Sequence, residues 1–429
     1  ITQSVGERTN HAEHHAQPFQ PAVSRRFLSA LRRETTRLAA SRADRAMLTW
    51  APVLGVLLLA WIFSAGTPTR LPIGVLDADG STLSRQLTRW LAATPGLAVT
   101  EAPANARSAE QLLRAGRVHA VLAIPPDFSA DLKRGRATRV ALLDNAQRGV
   151  HSGLIQKDVL TVVTTLSAGI EIVARQKRGE SPAAAAAHVE PLRSATISLF
   201  NTAPDYARFL GAALVAALLH VLAMSTGAWA VGRELREGTL PGWLGVAEQT
   251  ADAAPAQPSR NGAGLAPVLA ALLAKLAWPW LSFSVVGALA LAWLTVGRGW
   301  PVPGSLLLVA AAHAAFVALS LLLGALFTLL ASSQRMGLSA AGFVAAPAFA
   351  FSGVAFPGLA LPVGAQWWAL ALPLTHYLQV QVQQLLMGAP LRLSLTTPLV
   401  MLALCVPLAG LAAALLRRAA GRPELWGKR

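Results

Sequence analysis

The sequence predicts a polytopic α-helical membrane protein of six transmembrane helices, with a small extracytoplasmic α/β domain inserted between helices 1 and 2. Composition is the first observation behind this prediction, because 54% of the 429 residues are hydrophobic and only 14% are charged, whereas about 25% are charged in soluble domains. The apolar residues also form runs of about twenty, the helix length that crosses a hydrocarbon core of about 30 Å. Between the first two runs, short strand-like and helix-like segments alternate, which favours an α/β domain.

The N-terminal region is predicted to lie on the cytoplasmic side of the membrane. Residues 1–21 are polar and are expected to be disordered. Residues 22–46 predict an amphipathic interface helix on the inner leaflet, because apolar side chains recur at helical spacing among arginines. These apolar positions are Phe27, Leu28, Leu31 and Leu38. Transmembrane helix 1 is expected at 47–65, and the arginines before it place the N-terminus in the cytoplasm.

Residues 66–205 are predicted to form the periplasmic α/β domain. Four short apolar runs are typical of strands, namely LPIGVLDAD, GLAVTEA, VHAVLAIP and TRVALLDN. The segments STLSRQLTRWLAA, SAEQLLRAG and PPDFSADLKRG lie between them and are typical of helices. Because helix 1 starts inside, this domain is expected outside the cytoplasm.

The second half of the chain supplies the remaining predicted helices. We expect helix 2 at 206–231 and then a cytoplasmic coupling loop at 232–276, which contains a flexible insert at 248–264. Helices 3–5 are expected within 277–356, and an outer re-entrant or interfacial segment at 357–395. Helix 6 is expected at 396–416, followed by a basic cytoplasmic tail at 417–429. The fifth helix is expected at 336–356. Lys275 is expected to snorkel toward the cytoplasmic interface. The Arg- and Ala-rich composition suggests a bacterium with two membranes, so the chain is expected in the inner membrane, and its charges place both termini in the cytoplasm.

The charge pattern argues against several classes of function. A net charge of +16 would be consistent with binding to nucleic acid. The arginines, however, flank apolar runs, where membrane topology accounts for them, so no nucleic-acid partner is expected. The one cysteine, Cys405, excludes a disulfide or a thiolate metal cluster within one chain. No carboxylate lies between Asp252 and Glu424, whereas ion-coupled carriers usually keep carboxylates inside the membrane. There is also no G-x-x-x-x-G-K-[ST] phosphate loop, so another subunit must supply the energy for any transport.

Some histidines and aspartates allow two interpretations. His220 and His313 lie in apolar helices, where they are either packed hydrogen-bonding residues or members of a proton relay. Asp77, Asp79 and Asp144 suggest a metal, although the first two suit a turn at a strand end. We predict neither a metal site nor a catalytic site.

A charged stretch, GRELREGTL (232–240), follows helix 2 and ends at a Gly-Thr. It resembles the R-E-x-E-x-G-T-L segment of ABC type-2 transporter permeases. The matching positions are Arg233, Glu234, Glu237, Gly238, Thr239 and Leu240. Glu234 and Glu237 lie one helical turn apart and can share a face, and Gly238 allows the backbone to turn. The alternative is an ordinary solvated helix end whose charges follow topology.

Other segments resemble the same family in the same order along the chain. They are IGVLDADGSTLSRQL (73–87), LLRAGRVHAVLAIPPDFSADLKRG (112–135), AFSGVAFP (350–357) and LPLTHYLQVQVQQLLMGAP (372–390). The chain departs from the family pattern after Thr239, where Pro241 and a polar insert follow.

The resemblance implies the permease subunit of an ATP-binding-cassette exporter of drugs, lipids or polymers, not an enzyme. The chain itself would hold no cofactor, because ATP and magnesium would bind to partner ABC ATPase subunits. The matching residues would couple to that ATPase, with Arg33 and Glu34 as a candidate second contact. The candidate outer gate consists of Phe356, Pro357, His376 and Tyr377, with a plain interfacial role as the alternative for His376 and Tyr377. Further implied partners are a second permease copy or a sibling, membrane lipid, and a periplasmic adaptor with an outer-membrane channel.

Two further expectations follow. Charge reversal of Glu234 and Glu237 is expected to abolish transport while leaving the protein folded. The alternative function is a membrane-anchored receptor whose periplasmic domain is the working part.

Overall fold

The computed structural model describes residues 22–189, 205–244, 264–422, 424, 426 and 427. The chain divides into two compact units, which we call the α/β unit (residues 65–206) and the membrane unit (the chain before and after it). The predicted disordered segment 1–21 and residues 248–263 of the predicted insert lie outside the described residues. The membrane unit begins with α1 (Ala22–Ala40), α2 (Arg42–Leu48) and α3 (Trp50–Ile62).

The α/β unit contains a four-stranded sheet flanked by helices. Its elements are β1 (Leu71–Asp77), α4 (Thr82–Ala93), β2 (Leu97–Glu101), α5 (Ala106–Arg114), β3 (Ala120–Ile124), α6 (Phe128–Lys133), β4 (Ala141–Asp144), α7 (Gly149–Lys177) and α8 (Pro182–Val189). The strand order is β2-β1-β3-β4. β1 pairs in parallel with β2 and β3, and β4 is antiparallel to β3. The predicted small α/β fold is confirmed, because all four apolar runs form strands.

The core of the α/β unit lies between the sheet and the helices α4 and α7. Ile73 on β1 and Leu122 on β3 are fully buried, and they cluster with Leu87 and Leu91 of α4 and Ile155 of α7. The apolar residues of α4 recur at helical spacing, so one face of the helix covers the sheet. Because parallel strands need crossover helices, the alternation seen in the sequence leads directly to this layered packing.

Asp77 closes the turn that joins β1 to α4. One carboxylate oxygen accepts hydrogen bonds from the backbone N–H groups of Asp79 (3.1 Å) and Gly80 (2.9 Å), and the other accepts from the Ser84 hydroxyl (2.7 Å). Asp79 accepts a bond from the Ser129 N–H at 3.3 Å. Asp77 therefore has the turn contacts expected at a strand end, whereas the Asp79 side chain accepts from the first turn of α6. Among the described residues, no group of three or more His, Cys, Asp or Glu side chains could hold a metal ion.

Replacing Asp77 with alanine is expected to destabilise the α/β unit by about 1–3 kcal/mol, since the part-buried Ser84 hydroxyl and two N–H groups would lose their acceptor. Thermal unfolding of the detergent-solubilised chain measures this loss. Glu110→Ala is the control, because Glu110 is an exposed residue of α5 whose ion pair with Arg114 lies on the surface, and such pairs contribute about 0–1 kcal/mol. Equal stability of the Asp77→Ala chain and the wild type would contradict the assigned role.

The described residues in the rest of the membrane unit are mostly helical. Its helices are α9 (Ala212–Glu237), α10 (Leu240–Leu244), α11 (Leu265–Ala292), α12 (Leu306–Ala331), α13 (Gln334–Ala345), α14 (Ala348–Phe351), α15 (Val363–Ala371), α16 (Pro373–Gln381), α17 (Leu391–Ser394) and α18 (Thr396–Ala420). Short π-helical turns extend α9 at its start and α11 and α16 at their ends. The predicted outer segment 357–395 thus contains the short helices α15, α16 and α17.

Five helical segments of the described residues are long and apolar enough to cross a membrane. They are Arg42–Ile62, Ala207–Glu237, Leu265–Gly297, Leu306–Ala331 and Leu391–Ala420. The chain is therefore a multi-pass membrane protein, but six spans are not confirmed. The predicted fifth helix, 336–356, is divided into α13 and α14 next to Pro347, where the missing N–H and the proline ring interrupt a helix.

Helices α9 and α12 approach each other closely at two glycines. A Cβ atom on Gly227 would overlap the carbonyl of Leu321, and one on Gly324 would overlap the carbonyl of Met224. Small residues allow membrane helices to bring their backbones together in this way. The Thr328 hydroxyl of α12 also donates to the Ala228 carbonyl of α9 at 3.1 Å. This pair forms the centre of the membrane unit.

Candidate functional site

The GRELREGTL stretch forms the end of α9 and the turn into α10. Gly238 adopts the left-handed conformation with φ 67°, which a residue without a Cβ atom adopts at little cost. The Thr239 N–H donates to the Glu234 carbonyl at 3.1 Å, and the Gly238 N–H donates to the Leu235 carbonyl at 3.4 Å. These two bonds are those of a Schellman motif. The Gly-Thr pair therefore ends the helix at a defined residue and directs the chain into α10.

The buried carboxylate of Glu234 lies at the centre of a group of three cations. Arg33 donates to both of its oxygens at 3.0 Å, a bidentate arrangement. Lys275 Nζ donates to it at 2.7 Å, and Arg37 and the Thr239 hydroxyl also donate to it. The Glu234 side chain has no exposed surface. Its charge is therefore compensated by hydrogen-bonded cations from other helices and not by water.

Lys275 of α11 holds a second carboxylate, that of Glu34, at 2.6 Å. The Lys275 side chain is fully buried, and its ammonium also lies 4.7 Å from the centre of the Trp243 ring, a cation–π contact. The expectation that Lys275 snorkels to the interface is wrong. Its counter-charges are two buried carboxylates of the protein itself, Glu34 and Glu234.

These contacts join α1, α9 and α11 into one assembly. Arg37 also pairs with Glu237, so the assembly contains three cations and three carboxylates. We call this set the charge cluster; its members are Arg33, Glu34, Arg37, Glu234, Glu237 and Lys275. Arg33 and Glu34, predicted as a second ATPase contact, thus bind Glu234 and Lys275 within the chain.

Arg233 forms a separate ion pair. Its guanidinium contacts the carboxylate of Asp44 on α2, and the Trp229 indole N–H donates to the same carboxylate at 3.1 Å. Arg233 and Asp44 are both buried. The pair fixes α2, the first part of candidate span Arg42–Ile62, against the end of α9.

Only part of the predicted coupling segment is exposed. Arg233, Glu234 and Leu240 are buried, whereas the Glu237 side chain is 38% exposed and Gly238 and Thr239 are partly exposed. The surface that another protein can touch is therefore the turn from Arg236 to Thr239. We call it the exposed turn. It lies directly above the buried carboxylate of Glu234, because Thr239 bonds to that residue through both its N–H and its hydroxyl.

Sequence reasoning missed three residues of this region, namely Arg37, Asp44 and Lys275. A signal for them was present. Lys275 is the only charged residue in α11, and Glu34 and Asp44 are the only carboxylates between residues 22 and 64. A single charge in an apolar helix needs a counter-charge, but the sequence does not show which of the available carboxylates is near.

The structure does not place the four candidate gate residues in one environment. Tyr377 is buried, and its ring stacks on Phe316 at 4.9 Å and contacts the His313 ring at 5.2 Å. Phe356 is 48% exposed. His376 Nε2 lies 2.8 Å from the Leu370 carbonyl, within the same short-helix segment. The gate therefore stays a prediction.

The two histidines of the apolar helices have helix-packing contacts. His220 Nδ1 lies 2.9 Å from the Ser320 hydroxyl, so it joins α9 to α12. His313 Nε2 lies 3.3 Å from the Phe283 carbonyl, so it joins α12 to α11. Both side chains are buried, and each bond satisfies one ring nitrogen.

Comparison with known proteins identifies the family. The family described as ABC-2 family transporter protein matches residues 45–243 and 265–415, which include the α/β unit and the exposed turn and cover most of each of the five candidate spans. No curated protein matches the chain. The receptor alternative has no support from these comparisons, and the resemblance seen in GRELREGTL is confirmed. A match over most of its length, with a multi-pass helical architecture, means that the chain belongs to the ABC-2 family of transporter proteins.

Proposed function

We propose that the chain is the transmembrane permease subunit of an ATP-binding-cassette exporter. It moves a drug, lipid or polymer out of the cytoplasm or the inner membrane of a bacterium. A separate ATPase subunit binds ATP and magnesium, and the chain itself holds no cofactor. Two permease copies, or one copy and a sibling, form the pore in contact with membrane lipid. The α/β unit lies in the periplasm, where an adaptor and an outer-membrane channel can join, and both termini are cytoplasmic.

The observation that carries this proposal is the position of the exposed turn on the charge cluster. A partner that pushes on Glu237, Gly238 and Thr239 acts on the end of α9. Because Glu234 is bonded to α1 and α11 through Arg33 and Lys275, a displacement of the turn moves three helices together. Packed cores respond to such forces by switching between discrete arrangements. The charge cluster thereby converts ATPase closure into a change of pore state.

Glu237→Lys is expected to disrupt coupling, because it reverses the exposed carboxylate of the turn. In the chain purified from native membranes in mild detergent, an ATPase subunit is expected to co-elute in equal amount. The affinity of the variant for the ATPase subunit is expected to fall at least about tenfold, because a charge-assisted hydrogen bond contributes about that factor or more to binding. Co-elution and ATP hydrolysis are the two measurements.

The matched control is Glu110→Lys, the same change at an exposed, singly paired glutamate of the α/β unit. It is expected to retain the ATPase. A wild-type chain that elutes without any ATPase would overturn the proposed function. A Glu237→Lys chain with full association and full ATP hydrolysis would overturn the role of the exposed turn.

A further inference from the structure

The α/β unit contains an open groove beside its longest helix. Helix α7 has 29 residues and is therefore about 44 Å long. The longest strand, β1, has 7 residues and spans about 23 Å. The first half of α7 covers the sheet with buried Ile155 and Val159. The core contacts of α7 continue as far as the buried Leu166 and the partly buried Ile170, and only its last two turns reach beyond them.

The groove lies between the second half of α7, the outer face of α4 and the end of α6. Its volume is about 650 Å³, within the roughly 300–1,000 Å³ of sites for small ligands. Each helix contributes one face, because the lining residues of α7 recur at helical spacing from Leu166 to Lys177 and those of α4 from Thr82 to Trp90. The walls are apolar, and Trp90 and Val173 are 38% and 49% exposed.

The charges of the groove have one sign. Lys133 and Lys177 are the charged residues that line it, and no carboxylate is among its lining residues. Within the part of the chain that the structure describes, neither lysine ammonium has an ion-pair partner. The nearby carboxylates are engaged elsewhere, since Glu171 pairs with Arg175 and Asp131 faces Arg134 and Arg136. Helix α4 adds arginines and no acid.

An apolar trough with unpaired lysines at its rim is complementary to a molecule with an aliphatic chain and an anionic head. Lysine stems bury against apolar surface while their ammonium groups remain at its edge. We propose that this groove binds a single-chain anionic amphiphile, a long-chain carboxylate, with its tail along α4 and α7 and its head at the lysine rim. This site stands independently of whether the chain transports anything.

Photo-crosslinking of the full chain tests the proposal. The chain is placed in nanodiscs of neutral phosphatidylcholine and exposed to a palmitic acid that carries a diazirine, and adducts are mapped by peptide mass spectrometry. Adducts are expected in peptides containing residues 82–90 and 166–177. Excess palmitate is expected to compete, whereas hexadecanol, with the same chain and no charge, is expected to compete poorly.

The charge requirement is tested by the double variant Lys133→Glu, Lys177→Glu. Its adduct yield is expected to fall at least about tenfold, the factor that a charge-assisted bond contributes. The matched control is Arg134→Glu, Arg136→Glu, which reverses two neighbouring exposed arginines outside the groove and is expected to label normally.

Four outcomes would overturn the proposal. Absence of adducts from both peptides would mean that the groove holds no amphiphile. Equal competition by hexadecanol, or unchanged labelling of the lysine variant, would mean an apolar surface without an anion site. Adducts that form only after dimers are dissociated would assign the groove to a second copy of the chain. The hexadecanol comparison uses the wild-type chain, so it does not depend on the folding of a variant.

Discussion

Glutamine in place of Glu234 is expected to lower the free energy of unfolding of the membrane unit by about 3–5 kcal/mol, the range measured when one partner of a buried ion pair is removed. The substitution preserves the shape of the side chain and removes only its charge. Arg33 and Lys275 would then share Glu34 as their nearest buried carboxylate. Equilibrium unfolding in mixed micelles measures the loss.

Two further variants isolate the cause of that loss. Glu237→Gln removes the same charge from the exposed edge of the charge cluster, and it is expected to cost less than about 1 kcal/mol. The double variant Glu234→Gln, Lys275→Met removes the buried cation as well, so it is expected to lose less than the sum of its single variants. A Glu234→Gln chain as stable as the wild type would show that Glu234 is not the counter-charge of this cluster.

Burial also changes what charge reversal at the coupling segment can test. At Glu234, a lysine would stand beside Arg33, Arg37 and Lys275 without solvent, so the chain is expected to unfold and not merely to stop transporting. At Glu237, the new lysine would reach water. Only the second variant separates coupling from folding, contrary to the expectation that both reversals leave the protein folded.

Alanine at both Gly227 and Gly324 is expected to destabilise the membrane unit by about 1–3 kcal/mol for each site, the usual cost of overpacking. Each new methyl group would overlap a backbone carbonyl of the facing helix, which cannot rotate away as a side chain can. The two helices would have to separate, and the Thr328 bond to Ala228 would lengthen. Equilibrium unfolding in mixed micelles again measures the effect.

Gly410→Ala is the control for this pair of variants. Gly410 lies within α18, and a Cβ atom there would meet nothing within 4 Å. Alanine is favoured over glycine in a helix by up to about 1 kcal/mol, so this variant is expected to be as stable as the wild type or more so. Full stability of the Gly227→Ala, Gly324→Ala chain would mean that the α9–α12 contact is looser than the structure has it.

Local patterns were sufficient to predict most of the architecture. The strands were recognisable because β1 to β4 are short apolar runs bounded by turn residues such as Asp77 and Gly80. The candidate spans were recognisable by length, since nothing but a long apolar helix satisfies its own backbone in lipid. The break at Pro347 within the predicted fifth helix was missed, because a run of apolar residues around one proline has the composition of a continuous span.

The residues 232–240 show where local information ends. The Gly-Thr turn is a property of a few adjacent residues, so the sequence predicts it directly through the conformational freedom of Gly238. The role of Glu234 depends on Arg33, about two hundred residues away in the chain, and on Lys275 of another helix. From the sequence alone, a charged glutamate is expected to be solvated and free to bind a partner protein. Its burial against three cations arises from the packing of α1, α9 and α11, because the energy of a charge is set by the dielectric and partners around it and not by its neighbours in sequence.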